Sequence, residues 1–248
     1  DAAAFDQLGL PLKDPFPRNR YAELLRTISS AKPKAIAVDI LFNGEGDDAE
    51  GNRALAAALS ATGAVIISHS GSYRGHGLNN IEDKEESLVP ASIFADAAAE
   101  VAWGRLSHDR GILRRYLDLH LAPGNRRTLA EAAARKMTPA ALLPRRQDFV
   151  NYYGGAGKIK SVSAADLITR PADVLPYFKD KLVFVGSYSS AGIEGRDRDL
   201  LMTPLGLQFG VEIHATRAAN IATGRWIKRL PLNIESQLLS GLLMLLTI

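Results

Sequence analysis

Three short runs constrain this chain more than any other feature: AIAVDI (35–40), AVIIS (64–68) and KLVFVG (181–186) are apolar almost throughout. A strand with one face in water alternates apolar and polar residues. A strand apolar on both sides must be covered on both sides, as in a parallel sheet sandwiched by helices. Between the first two runs lie the polar loop FNGEGDD and the Ala- and Leu-rich stretch 49–62, with Gly63 in the C-cap position, so the order is strand, helix, strand. Residues 18–31 place Tyr21, Leu24, Leu25 and Ile28 at helical spacing, and Pro33 ends that helix. The expected fold class is therefore α/β, a mostly parallel central sheet flanked by helices, followed by the start of a C-terminal transmembrane helix.

That last element rests on the end of the chain. From Leu238 to Ile248 no residue is charged, and the basic group Arg225, Lys228 and Arg229 precedes the apolar run. These residues fall short of the roughly 20 apolar residues that a helix needs to cross a bilayer, so the run reads as a membrane helix cut off at its start. The alternative is a C-terminal core helix. The expected organisation is an N-terminal linker (1–17), an α/β domain (18–224) and a juxtamembrane segment with a truncated transmembrane helix (225–248). Within the domain, strands are expected near Val101–Trp103, Ile112–Leu119 and 148–153, and helices over 90–98, 128–137, from Ser161 or Ser163 to Ile168, and over Val211–Thr223, with Gly224 as the last stop signal. The segments 69–87 and 187–210 are long polar connections, the first expected to be weakly ordered.

Several chemistries are excluded at once. The chain has no cysteine, which removes disulfides, thiol nucleophiles and zinc–cysteine sites. Its 30 Lys and Arg against 27 Asp and Glu leave a net charge of +3, dispersed in pairs and not as a basic stripe, so no nucleic-acid partner is expected. The five histidines contain no pair at the helical i, i+4 spacing of a metal site, and neither a metal nor a cofactor is implied. Asp39 ends the first strand at the edge where open α/β sheets bind ligands. Asp48 lies in the following loop, where a helix cap alone explains one of Asp47 and Asp48. Grouped acids there can hold a cation or anchor an amine. An inward Arg114 or Arg115 beside Asp39 or Asp109 would form a buried ion pair. Ser187, Asp199 and His214 follow the chain order of an α/β-hydrolase triad, but Tyr188 stands where a nucleophile elbow needs serine. A periplasmic hydrolase is thus the rival reading.

The succession AIAVDILF (35–42), the acidic loop with Asp48, LAAAL (55–59), DRGILRR (109–115), FVNYYG (149–154), SAADLI (163–168), FKDKLVFVGSYS (178–189), TPLG (203–206) and GVEIHA (210–215) resembles a CHASE domain of the second type, a cyclase/histidine-kinase-associated sensory extracellular domain. The resemblance implies a non-catalytic bacterial sensor on the periplasmic side of the cell membrane. It would pass an unknown small-molecule or protein stimulus through transmembrane helices to an intracellular cyclase, kinase or diguanylate-cyclase output, as a homodimer. The positions matching the pattern are Asp39, Asp48, Asp109, Arg115, Asn151, Gly186, Thr203, Glu212 and His214. With Ser187 and Asp199, all but Gly186 form the candidate ligand-binding set. The chain departs from the pattern at His108, where an acid is usual. It also places Arg225, Lys228 and Arg229 on what would be the outer side, against the positive-inside tendency.

Overall fold

A computed structural model of the protein describes residues 2–11, 16–71, 87–120, 126–188 and 199–246. The chain opens with α1 (Ala2–Gln7) and α2 (Arg18–Ser30), then β1 (Ala35–Asp39), α3 (Ala49–Thr62), β2 (Val65–Gly71), β3 (Ser87–Leu88), α4 (Ser92–Ala95) and β4 (Glu100–Trp103). After α5 (Leu129–Met137), α6 (Ala164–Thr169) and α7 (Pro171–Val174) come β5 (Leu182–Gly186), the strand pair β6 (Leu200–Thr203) and β7 (Gly206–Phe209), α8 (Gly210–Thr223) and α9 (Leu232–Leu246).

The three apolar runs form the heart of one sheet. β1 lies between β2 and β5, parallel to both, with Ile36 opposite Val65 and Asp39 opposite Gly186. On its other side β2 pairs in parallel with β4, and past β4 its end pairs with the short antiparallel β3. The two faces of β1 differ in size. Ile36 and Val38 pack with Leu24, Leu25 and Ile28 of α2 and with Leu55 and Leu59 of α3, whereas Ala35 and Ala37 face the alanines of α5 and Ala218 and Ile221 of α8. Small residues on both sides of the second layer bring α5 and α8 close to the sheet, and that approach sets where the first turn of α8 ends up.

The local signals act as the sequence suggests at several termini. Asp48 caps α3 by accepting from the Gly51 N–H at 2.8 Å, and Gly63 ends it in the left-handed conformation. Thr128 caps α5, Ser163 caps α6 and Gly224 ends α8.

Elsewhere the structure corrects the expectation. Residues 112–119 and 148–153 are not strands. They make isolated bridges, Asp109 to Ile112, Arg115 to Phe149 and Phe149 to Ile227, and residues Leu117–His120 form a 3₁₀ turn. Each takes its backbone partners one at a time from different segments, as when the Leu113 N–H donates to Met202 O and the Val150 N–H to Arg114 O, so neither builds a ladder. The helix expected over 90–98 is confined to Ser92–Ala95. The connection 187–210 contains the β6–β7 hairpin, turned at Pro204-Leu205, with Thr203 opposite Gly206. Its residues 189–198, like 72–86 of the other long connection, lie outside the described residues. Within the segment expected as an N-terminal linker, Ala4 and Phe5 of α1 are buried and Phe5 packs edge-on against Phe16 with ring centroids 5.6 Å apart.

Among the described residues no helix is long and apolar enough to cross a membrane. α9 has 15 residues, and its Leu238, Leu239, Leu242 and Met244 are exposed.

Candidate functional site

β1 carries its chain into α3 and β2 on one side, and the chain returns as β5 on the other. The strand order therefore reverses beside β1, and ligands of open α/β sheets bind outside the carboxyl ends of strands at such a point. Asp39 is the last residue of β1 and sits there with its register partner Gly186. Ser68 of β2 donates to Asp39 Oδ1 over a long 3.4 Å. His214, in the second turn of α8, reaches across the strand ends to place Nε2 3.7 Å from the same oxygen and 2.9 Å from the Gly104 carbonyl. A carbonyl only accepts, so Nε2 bears the proton of the neutral ring and leaves Nδ1 as the basic atom, buried and without a hydrogen-bond partner among the described residues.

Two glycines make this approach possible. A Cβ at Gly104 would stand 2.6 Å from Ser68 Oγ, and one at Gly210 would stand 2.5 Å from Asp199 Oδ2. A side chain at either place would displace the polar atom beside it. Gly210 is the first residue of α8, so the Asp199 carboxylate lies against the start of that helix, whose N-cap residue, Phe209, supplies no side-chain acceptor. In the same first turn, Glu212 Oε1 accepts from the Gly157 N–H at 2.8 Å, while the buried Oε2 has no partner among the described residues. The glycine loop 154–158 thus meets α8 through Glu212.

The electrostatics of the cluster follow from shelter without a countercharge. Burial pushes the Asp39 carboxyl up to about 7, against a smaller downward pull from the Ser68 hydroxyl. Burial, and then the charge of Asp39, raise Asp199 to about 6, with His214 pulling it back. Burial and the nearby Arg217 guanidinium lower His214 to about 4, so near neutral pH the ring is uncharged and its contact with Asp39 is no ion pair. Asp39 and Asp199 therefore lie close enough at the carboxyl edge of the sheet for one to raise the other, and a positive charge there would stabilise both. Among the described residues no group of three or more His, Asp or Glu is arranged to hold a metal ion.

A family model described as the CHASE2 domain matches residues 1–248, the whole chain. The chain belongs to the CHASE2 family. CHASE2 domains are sensory extracellular domains, and this one carries its sheltered acids at the ligand edge of its sheet. No curated protein and no solved structure matches the chain.

Of the residues singled out in the sequence, this CHASE2 domain brings Asp39, Asp199 and His214 together and sets Glu212 on the same stretch of α8. The others have different duties. Asp48 is the exposed cap of α3. Asp109 pairs with Arg114 at 2.9 Å and Arg115 at 3.5 Å, and chiefly the Arg114 hydrogen bond holds its carboxyl below the usual range. Arg115 also stacks over Phe149, 5.3 Å from the ring centroid. Thr203 closes the hairpin turn by donating to Gly206 O, and the Asn151 side chain donates to Arg225 O. Ser187 is exposed and makes no hydrogen bond to Asp199 or His214 among the described residues, so the hydrolase triad is not assembled. Sequence reasoning missed Ser68 and Gly104, whose strand ends became neighbours of Asp39 only through sheet register. It also missed Asp118, Arg217 and Asn220, which are treated below.

Proposed function

We propose that this CHASE2 domain is the signal-input unit of a membrane-bound receptor. It binds a small cationic ligand at the edge formed by Asp39 and Asp199, and its occupancy biases an attached intracellular cyclase, kinase or diguanylate-cyclase output. The observation that carries the reading is the pair of sheltered carboxylates at the strand-order reversal, which no basic side chain pairs with among the described residues. Ligand charge would replace protons on Asp39 and Asp199, and only a ligand that binds two conformations unequally transmits a signal. α9, apolar and exposed, supports a role as the start of the membrane segment, with the domain on the outer side and two chains side by side as a homodimer.

The test is thermal unfolding of the domain with a panel of amines, amino acids and divalent cations. A specific amine should raise the midpoint by mass action. The gain should strengthen as pH climbs from 5.5 to 8, since Asp39 and Asp199 lose their protons across that interval. Asp39→Asn and Asp199→Asn should each abolish it. An anionic ligand, or a response indifferent to both substitutions, would remove the cationic site.

A further inference from the structure

Asp148 is buried and gathers donors from two segments, its own and the one that leads into α9. It accepts from Arg145 N at 2.9 Å, from Trp226 Nε1 at 3.1 Å and from Arg229 N at 3.1 Å, and it pairs with the Arg145 guanidinium at 2.9 Å. Its charge is spent inside this knot. Around it lies a pocket of about 540 Å³ whose lining includes Leu142, Leu143, Trp226, Lys228, Arg229 and Leu230.

What faces outward is cationic and greasy at once. The segment Arg225–Pro231 holds three cations and no acid, and of these Arg229 pairs with Glu235 of α9 at 3.0 Å while Arg225 and Lys228 face outward. Lys228 forms no ion pair among the described residues, and Leu142 is 78% exposed, with Ile227 and Leu230 about half exposed. Pro231 then leads directly into the exposed apolar α9. Basic side chains, a tryptophan and projecting aliphatic side chains at the root of an apolar helix are the chemistry of a bilayer interface, where cations meet headgroup phosphates and apolar groups enter the acyl boundary.

We propose that this surface docks on the headgroups of an anionic phospholipid bilayer, so that the domain rests on the membrane and does not merely hang from α9. The inference depends on the membrane placement proposed above. Charge complementarity and continuity with α9 select lipid as the occupant. They also account for cations on the outer flank, whose partners would be phosphates on that same side.

The full chain is reconstituted in vesicles of phosphatidylcholine, alone or mixed with phosphatidylglycerol, each doped with a lipid bearing a nitroxide on its headgroup. Trp226 emission is the readout, assigned by its loss in Trp226→Phe. With phosphatidylglycerol present, quenching should be roughly twofold or more above that in phosphatidylcholine and should fall with added salt. Lys228→Glu and Leu142→Ser should return it to the phosphatidylcholine level while the chain stays vesicle-bound and its unfolding midpoint is unchanged. Inorganic phosphate should compete no better than chloride of equal ionic strength. Equal quenching in both lipids, or specific displacement by phosphate, overturns the docking surface and leaves the membrane helix standing. A chain that associates with neither vesicle overturns the membrane placement and the docking surface together.

Discussion

Two clusters of charge lie within one turn of each other on α8, and they have opposite characters. Around Arg217 the charges are matched: its Nη2 donates to Asp118 Oδ1 at 2.7 Å, both side chains are fully buried, and the guanidinium lies 5.0 Å from the centre of the Tyr116 ring. Tyr116 in turn donates to Asn220, which also accepts from the Asn151 N–H and donates to Asn151 O. Around His214, among the described residues, Asp39 and Asp199 are sheltered beside a neutral ring and without an ion-pair partner. The contrast separates scaffold from site. A buried ion pair is kept because breaking it leaves a stranded charge, whereas two sheltered acids without a cation are a standing cost that ligand binding can relieve.

The largest effect should come from breaking the matched cluster. Arg217→Met strands Asp118 in the interior and should cost about 3–5 kcal/mol in urea denaturation, while the double variant Asp118→Leu/Arg217→Met should recover most of that loss. A double variant as unstable as the single one would mean that the pair is not the reason for the cost.

Removing a charge from the unmatched cluster should act in the other direction. The folded-state value of about 7 for Asp39 lies above the ordinary carboxyl value of about 3.9, so the native state holds the proton longer than the unfolded chain does. Stability from this group is full below about pH 4 and is lost as pH rises to about 7. Asp39→Asn should thus be close to neutral at pH 4 and more stable than the parent by about 2 kcal/mol at pH 8. His214 has the reverse sign, since its lowered value makes stability fall as pH drops from about 6.5 towards 4. With two acids against one imidazole, the parent's denaturation midpoint should still decline from pH 4 to 7.

Gly104→Ala tests the packing that keeps the cluster together. The new methyl meets Ser68 Oγ and should cost about 1–2 kcal/mol. By displacing the Ser68 hydroxyl that donates to Asp39, it should also move the pH-dependent loss to higher pH. The smallest effect is expected at Asp48→Ala, about 1 kcal/mol from a lost helix cap. It should leave both the pH profile and ligand-induced stabilisation unchanged, which would separate Asp48 from the acid cluster it neighbours in sequence.

The sheet was legible because its three central strands are buried on both faces and say so in their composition. Asp48, Gly63, Ser163 and Gly224 were legible as helix ends for equally local reasons. Segments 112–119 and 148–153 misled, since their alternation serves single bridges and side-chain anchoring in place of a ladder. The β6–β7 hairpin was hidden in a connection read as one loop, although Thr203-Pro204-Leu205-Gly206 is its turn. Asp39 stood out at the site because a cap could not explain it, and Asp199 and His214 were flagged for a triad they do not form. Ser68, Gly104, Asp118, Arg217 and Asn220 carry no local signal. Their partners lie far away in the chain, 99 residues between Arg217 and Asp118 and 104 between Asn220 and Tyr116, and only the completed fold introduces them.

One short stretch of backbone is held at both ends: Asn220 of α8 bonds to Asn151, and Trp226 and Arg229, at the root of α9, bond to the Asp148 carboxylate. No slack spacer intervenes between them. Under the signal-input role proposed above, a tilt begun at the first turn of α8 would reach α9 as torque, much as a key turns a lock through a rigid shank.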